Sequence, residues 1–253
     1  MKLLHDVRLM FVNNLNHTLK SPVFIFINMF QPLMYLVLYM PLLGGLGSVP
    51  GFTGGNTANV FIPGLLVMQA IFGCAFVGFP LIDDIRSGVI HRYLVTPVSR
   101  SAIILGKVLR DVVVLLAQCI LITLVAIPFG LTLSVPGFLL SLVLYIFIGI
   151  IMSCISYSFA LIYKVEDSLA PTMNTITLPV SLLSGIFLPL ALAPLWLQYL
   201  AKINPFSYGV NATRDLFVGN FQSISIFEGF IITGIIAVVM FYWSLHSLKK
   251  MAT

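Results

Sequence analysis

The chain has 253 residues, of which 59% are hydrophobic and 8% charged, with 13 Lys and Arg against 8 Asp and Glu. A soluble domain carries roughly 25% charged residues, so these charges are too few to cover a water-exposed surface, and mean hydropathy is +1.07. Composition excludes a soluble enzyme, a disordered chain, a disulfide scaffold and a nucleic-acid binder, and it predicts an all-α polytopic membrane protein.

In residues 1–21, Lys2, Arg8 and Lys20 accompany several Asn, with no apolar core and no small-residue cleavage site, so the segment is not a cleavable signal. Leu4, Val7, Phe11 and Leu15 share one helical face, which predicts an amphipathic helix in the membrane interface. A spanning helix needs about 20 mostly apolar residues. Six segments qualify, at 22–43, 58–82, 112–131, 137–163, 170–190 and 226–245, within a single transmembrane domain over 22–253. Ser21-Pro22, Asn56-Thr57 and Ser134 before Pro136 mark three of the starts.

Charge sets the orientation. With the N-terminus in the cytoplasm, only Lys202 and Arg214 of the 13 basic residues fall outside. That asymmetry places both termini in the cytoplasm, as an even number of spans requires. Cys74, Cys119 and Cys154 lie in apolar runs without a CxxC pairing and read as small buried side chains. No HExxH, GxSxG or Walker A sequence occurs, and Gly106-Lys107 lacks the earlier Gly and the following Ser/Thr. The middles of the predicted spans hold no ionisable residue, which argues against a proton relay or an intramembrane catalyst. The expectation is no catalytic residue, no metal ligand and no cofactor bound by this chain. Energy for uphill movement then enters from outside the bilayer core.

The densest polar stretch is 83–111. Ile85, Val89 and Tyr93 recur every four residues, with Ile90 and Leu94 beside them and Arg86, Ser87, His91 and Arg92 on other faces. This predicts a short amphipathic surface helix ending near Thr96, because Pro97 disfavours a helical residue before it. A second helix restarts at Ser99 or Ser101, on which Lys107 and Asp111 can pair at four-residue spacing. A solvated connector needs no apolar stripe, so docking to a partner is the stronger reading.

Residues 86–100, Arg-Ser-Gly-Val-Ile-His-Arg-Tyr-Leu-Val-Thr-Pro-Val-Ser-Arg, followed by Ile104-Leu-Gly-Lys107, resemble the first cytoplasmic loop of ABC-2 type transporter permeases. Within that family they are most similar to the multidrug and daunorubicin-resistance branch. Asp84 and Gly88 fit the opening of the pattern, and Val89-Ile90-His91-Arg92 replaces the usual Thr-Leu-Glu-Arg. A second stretch resembles the family's fifth span and extracellular return: Ser184-Gly185-Ile-Phe187-Leu-Pro189-Leu, Pro194-Leu-Trp196, Asn204-Pro205-Phe-Ser-Tyr208 and Arg214. Pro189 and Pro194 interrupt a continuous helix there, and broken backbone at membrane depth must be buried or line a cavity. A pair of outer re-entrant half-helices between spans 5 and 6 fits; an ordinary external loop with aromatic anchors is the alternative.

The resemblance implies a permease subunit of an ABC exporter, working with a second permease subunit and with ATPase subunits that bind ATP and Mg2+. It implies a bacterial-type inner or plasma membrane location and a coupling helix comprising Asp84, Arg86, Gly88, Val89, Ile90, His91, Arg92, Tyr93, Leu94, Thr96, Pro97 and Arg100. An outer gate would comprise Gly185, Pro189, Pro194, Trp196, Asn204, Pro205 and Arg214. A substrate path or dimer interface would involve Gln69, Phe72, Phe76, Asn174, Ser181 and Phe187. The apolar, uncharged character of that path suits amphipathic drug-like or lipid-like substrates. A lipid-linked polysaccharide such as an O-antigen or teichoic acid is the alternative cargo, and an ATP-independent secondary carrier is the alternative class.

Overall fold

A computed structural model describes residues 2–20, 22–43, 57–95, 99–132, 134–186, 190 and 193–251. The elements in order are α1 (Lys2–Leu19), α2 (Pro22–Leu43), α3 (Thr57–Ala75), α4 (Gly78–Arg86), α5 (Val89–Val95), α6 (Arg100–Ala126), α7 (Val135–Tyr163), α8 (Glu166–Leu183), α9 (Leu195–Ile203), α10 (Pro205–Val218) and α11 (Ile224–Met251). No strand occurs among the described residues. Among the described residues, four stretches are long and apolar enough to cross a membrane: Ala58–Arg86, Ser101–Phe129, Val135–Tyr163 and Ile224–Lys250.

Helix α7 is the centre of the bundle, packed against α3, α4, α6, α10 and α11. Its Tyr145 and Tyr157 are fully buried. Close approach depends on small residues, as expected where surrounding lipid is as apolar as the helices themselves. A Cβ on Gly137 would lie 1.9 Å from the Leu216 carbonyl oxygen of α10, and one on Gly64 would lie 2.3 Å from that of Ile186. Both obstacles are backbone, so neither can step aside. Buried hydroxyls satisfy themselves on their own helix, as Ser141 does on the Gly137 carbonyl (2.8 Å) and Ser158 on that of Cys154 (2.7 Å).

The second predicted span breaks at Phe76–Val77, and α4 continues it to Arg86. There Gly78 N–H donates to Ser156 Oγ at 2.9 Å and fits tightly against α7. The third predicted span is α6, which begins at Arg100 rather than 112, so Lys107, Arg110 and Asp111 belong to a continuous rod rather than to a loop. The expected single surface helix through Ile85 is two helices. The chain turns at Gly88, whose φ of +74° is a conformation that glycine adopts without strain. Helix α8, in the place of the fifth predicted span, ends at Leu183, short of the predicted 190. Ser134 stands at the start of α7 as expected, but its Oγ donates to the Leu216 carbonyl (3.0 Å) instead of capping the helix.

Helix α1 lies along α6. At 100° per residue it has three sectors rather than two. Val7, Met10 and Asn14 turn toward the protein, Leu4, Val12 and Leu19 are exposed apolar groups, and His5, Asn16, His17 and Lys20 are exposed polar groups. The contact is made possible by Gly106, where an added Cβ would sit 2.6 Å from the Met10 Cβ and 3.0 Å from the Phe11 nitrogen. Gly106→Ala is therefore expected to loosen α1. Amide hydrogen exchange across residues 2–19 should accelerate while exchange in α11 stays unchanged.

Candidate functional site

At one end of the bundle, α1, α4, α5 and α6 enclose a groove of about 750 Å3, lined by Asn13, Asp84, Arg86, Val89 and Tyr93, with Lys107 and Arg110 among its walls. Helix α5 is only seven residues long and is anchored by Ile90, which is fully buried. Asn13 Nδ2 donates to the Tyr93 hydroxyl at 3.3 Å and joins α1 to α5. Asp6 Oδ2 accepts from Ser99 N–H at 3.3 Å, placing a carboxylate at the positive end of the α6 dipole. Arg86 and Glu166 form an exposed pair at 3.4 Å between α4 and α8. Lys107 pairs with Asp84 across to α4, at 2.5 Å, rather than with Asp111 on its own helix; the Lys107 side chain is only 4% exposed.

Asp111 is taken up by a buried network instead. Arg110 Nε lies 2.8 Å from Asp111 Oδ1, with the two side chains 13% and 3% exposed. The Tyr157 hydroxyl of α7 donates to Asp111 Oδ2. Arg110 also donates to the Tyr157 oxygen (3.3 Å) and to Thr18 Oγ1 of α1 (2.9 Å). Three elements thus meet on one ion pair. Removing either partner of such a pair strands a charge away from water, at about 3–5 kcal/mol.

A trail of polar cavities leads inward from this node. A space of about 40 Å3, lined by Thr18, Asn28, Arg110, Asp111 and Gln118, has room and polar partners for water. Gln118 Oε1 accepts from Gln69 Nε2 at 2.8 Å. Beyond it, a cavity of about 190 Å3 between α2 and α3 is lined by Asn28, Gln31, Met68, Gln69, Phe72 and Phe76. Arg110 is common to the first two cavities, and Asn28 and Gly73 to the last two.

The expected site residues are only partly gathered. Asp84, Arg86, Val89 and Tyr93 line the groove, Gly88 forms its turn, Ile90 is core and Arg92 is exposed. His91, Leu94 and Arg100 belong to helices, while Thr96 and Pro97 lie outside the described residues. Gln69, Phe72 and Phe76 share the inner cavity. Asn174 does not join them but is exposed on α8, and Ser181 is buried with its hydroxyl on the Thr177 carbonyl (2.7 Å). Phe187 and Pro189 lie outside the described residues.

At the opposite end, Asn204 caps α10 by accepting from Phe206 N–H (3.1 Å), with Pro205 at the first helical position, and its Nδ2 donates to the Val180 carbonyl (2.7 Å). Arg214 is partly buried and donates to the carbonyls of Val60 (3.0 Å), Gly185 (2.7 Å) and Ile186 (3.2 Å). It thereby satisfies acceptors just past the end of α8, where a cation also suits the helix dipole. Pro194 precedes α9, on which Trp196 is exposed.

Sequence reasoning missed Arg110, Tyr157, Asn13 and Thr18, and it paired Asp111 with Lys107. The available signal was Lys107, Arg110 and Asp111 within one turn, directly before an apolar run. In thermal unfolding of detergent-solubilised protein, Arg110→Gln and Asp111→Asn are each expected to lose about 3 kcal/mol. The double variant should lose less than the sum, with a coupling of about 1–3 kcal/mol.

The family described as ABC-2 type transporter matches residues 5–218. A chain of Pyropia yezoensis named transport permease ycf38 is 27% identical over 223 residues, covering 85% of this chain and 75% of its own length. The ycf38 permease of Porphyra purpurea is 30% identical over 206 residues, covering 78% and 69%. The inner membrane transport permease YadH of Escherichia coli (strain K12) is 27% identical over 220 residues, covering 84% and 82%. With several membrane-length apolar helices and a family match across most of its length, the chain is a multi-pass membrane protein that belongs to the ABC-2 type transporter family of permeases.

Proposed function

We propose that this chain is the permease subunit of an ABC exporter, driven by ATP hydrolysed on a separate nucleotide-binding subunit and paired with a second permease subunit. The observation that carries this reading is the groove of about 750 Å3 at the α5 end. Its helix α5 is anchored in the core by Ile90, and its walls continue through Lys107 and Arg110 into the spanning helices. A partner seated there would push on α5 and α1 together, because Asn13 joins them to each other and Arg110 joins α1 to α6 and α7. In this reading α2 and α8 complete six spans, both termini are cytoplasmic, and the segment from Gly185 to Arg214 re-enters the outer leaflet as a gate.

The substrate in this reading is amphipathic. The inner cavity sets the amides of Asn28, Gln31 and Gln69 beside Met68, Phe72 and Phe76. Amides orient a polar group without selecting a charge, and flexible Met and aromatic walls accept varied apolar shapes. That combination favours a drug-like or lipid-like molecule over a lipid-linked polysaccharide.

Val89→Asp or Tyr93→Asp should leave insertion into the membrane intact and lower substrate-stimulated hydrolysis by the partner ATPase about tenfold, equivalent to about 1.4 kcal/mol of lost docking. Unchanged co-purification and transport with both variants would remove the docking role. Cysteines introduced at 44–57 should react with an impermeant reagent from outside the cell, and those at 87–100 only after permeabilisation. The reverse pattern would overturn the topology.

A further inference from the structure

At the end of the bundle opposite α5, the helices α9, α10 and α11 surround a pocket of about 560 Å3 that shares no lining residue with the cavity between α2 and α3. Its walls include Gln198, Lys202, Tyr208, Asn211, Ser225 and Glu228. The pocket is built rather than incidental. Gln198 Nε2 donates to the Ala193 carbonyl at 2.8 Å, and the Tyr208 hydroxyl donates to the Lys202 carbonyl at 3.0 Å, so two of its walls are tied to backbone.

Two opposite charges stand in it without meeting. The Lys202 ammonium lies 5.4 Å from the centroid of the Tyr199 ring and enters no ion pair among the described residues. Glu228 makes neither a hydrogen bond nor an ion pair among the described residues. Both side chains belong to exposed residues. A cation and an anion on separate helices of one pocket, with amide and hydroxyl groups also in its lining, are complementary to one molecule carrying both a phosphate and an amine.

The surroundings identify what that molecule is attached to. On α9, Leu195, Trp196, Tyr199 and Ile203 are all exposed, and Trp and Tyr beside Lys is the composition of a helix at headgroup depth. On α11, Phe227, Ile231, Ile235 and Val238 are exposed at spacings of four, four and three residues. They form one apolar stripe running away from Glu228 along a helix whose most apolar window is only 22% buried. A polar pocket that opens onto a lipid-facing apolar stripe has the two-part character of a phospholipid. Its volume lies within the ordinary range of small-ligand sites.

We infer that this pocket binds the headgroup of a zwitterionic phospholipid from the leaflet at that face. The phosphate is held by Lys202, the amine by Glu228, and an acyl chain lies along Phe227, Ile231, Ile235 and Val238. The inference needs the chain to be membrane-embedded with α9 at the membrane surface. It does not depend on export, on the ATPase, or on which side of the membrane α9 faces.

The test is lipid retention by the purified full-length protein. The protein is stripped of lipid in detergent, then incubated with phosphatidylethanolamine or phosphatidylglycerol of matched acyl chains, and bound lipid is counted by native mass spectrometry. Wild-type protein should retain phosphatidylethanolamine about tenfold better, a difference of about 1.4 kcal/mol. Glu228→Gln should abolish that preference, and Lys202→Gln should weaken retention of both lipids. Soluble phosphoethanolamine alone should compete only weakly, because it lacks the chain that covers the α11 stripe. Equal retention of the two lipids by wild-type protein overturns the inference whatever the variants do. So does a preference that survives both substitutions, or competition by the free headgroup as strong as by the lipid. Labelling of Gln198→Cys with an impermeant reagent reports separately which leaflet is involved, so an error in the proposed orientation is distinguishable from absence of the site.

Discussion

The Arg110–Asp111 ion pair is the constraint from which the architecture of one end of the molecule follows. Two charges adjacent in sequence leave water together, and in a medium of low dielectric each must be compensated almost completely. Asp111 is compensated by Arg110 and the Tyr157 hydroxyl, and Arg110 by Asp111, Tyr157 and Thr18. Satisfying that demand fixes the rotation of α6 against α7 and holds α1 in place. Lys107, one turn earlier, fixes α6 against α4 through Asp84 in the same way. Displacing α4 would leave Lys107 without its carboxylate, and displacing α1 would take the Thr18 hydroxyl away from Arg110.

Away from that node, cohesion comes from shape. Glycines at 64, 106 and 137 let backbones approach to distances that no side chain would allow, and hydroxyls on α7 and α8 turn back onto their own carbonyls. Van der Waals contact has to hold such helices together, since lipid offers no hydrophobic gain for leaving it. The surfaces left over are apolar and face outward, as on α11, where Phe227, Ile231 and Val238 are all more than half exposed.

The two ends of the bundle use polar groups differently. At the α5 end, charges pair with charges and border a large groove. At the opposite end, Arg214 is satisfied by three backbone carbonyls, binding α10 to the start of α3 and to the segment after α8. A cation on neutral acceptors keeps its charge while making directional contacts, so the short helices there are held without a buried carboxylate. Lys202 and Glu228, also at this end, enter no ion pair among the described residues.

Much of this was legible in the chain itself. Sustained apolar runs determined that the protein is helical and membrane-embedded, because lipid supplies no partner for backbone groups and only a helix satisfies them within one segment. Asn204-Pro205 announced the start of α10, and the pattern Ile85–Tyr93 announced an amphipathic surface element. Tertiary structure alone decided the rest. Periodicity could not show that Gly88 splits that element, since a turn depends on what each half docks against. Spacing allowed Lys107 to pair with Asp111, yet each found a better partner in another helix, Asp84 and Tyr157, because burial favours whichever arrangement leaves the fewest charges unmet. Sequence spacing ranks neighbours along one helix; which charges are taken out of water together is a property of how helices from distant parts of the chain pack.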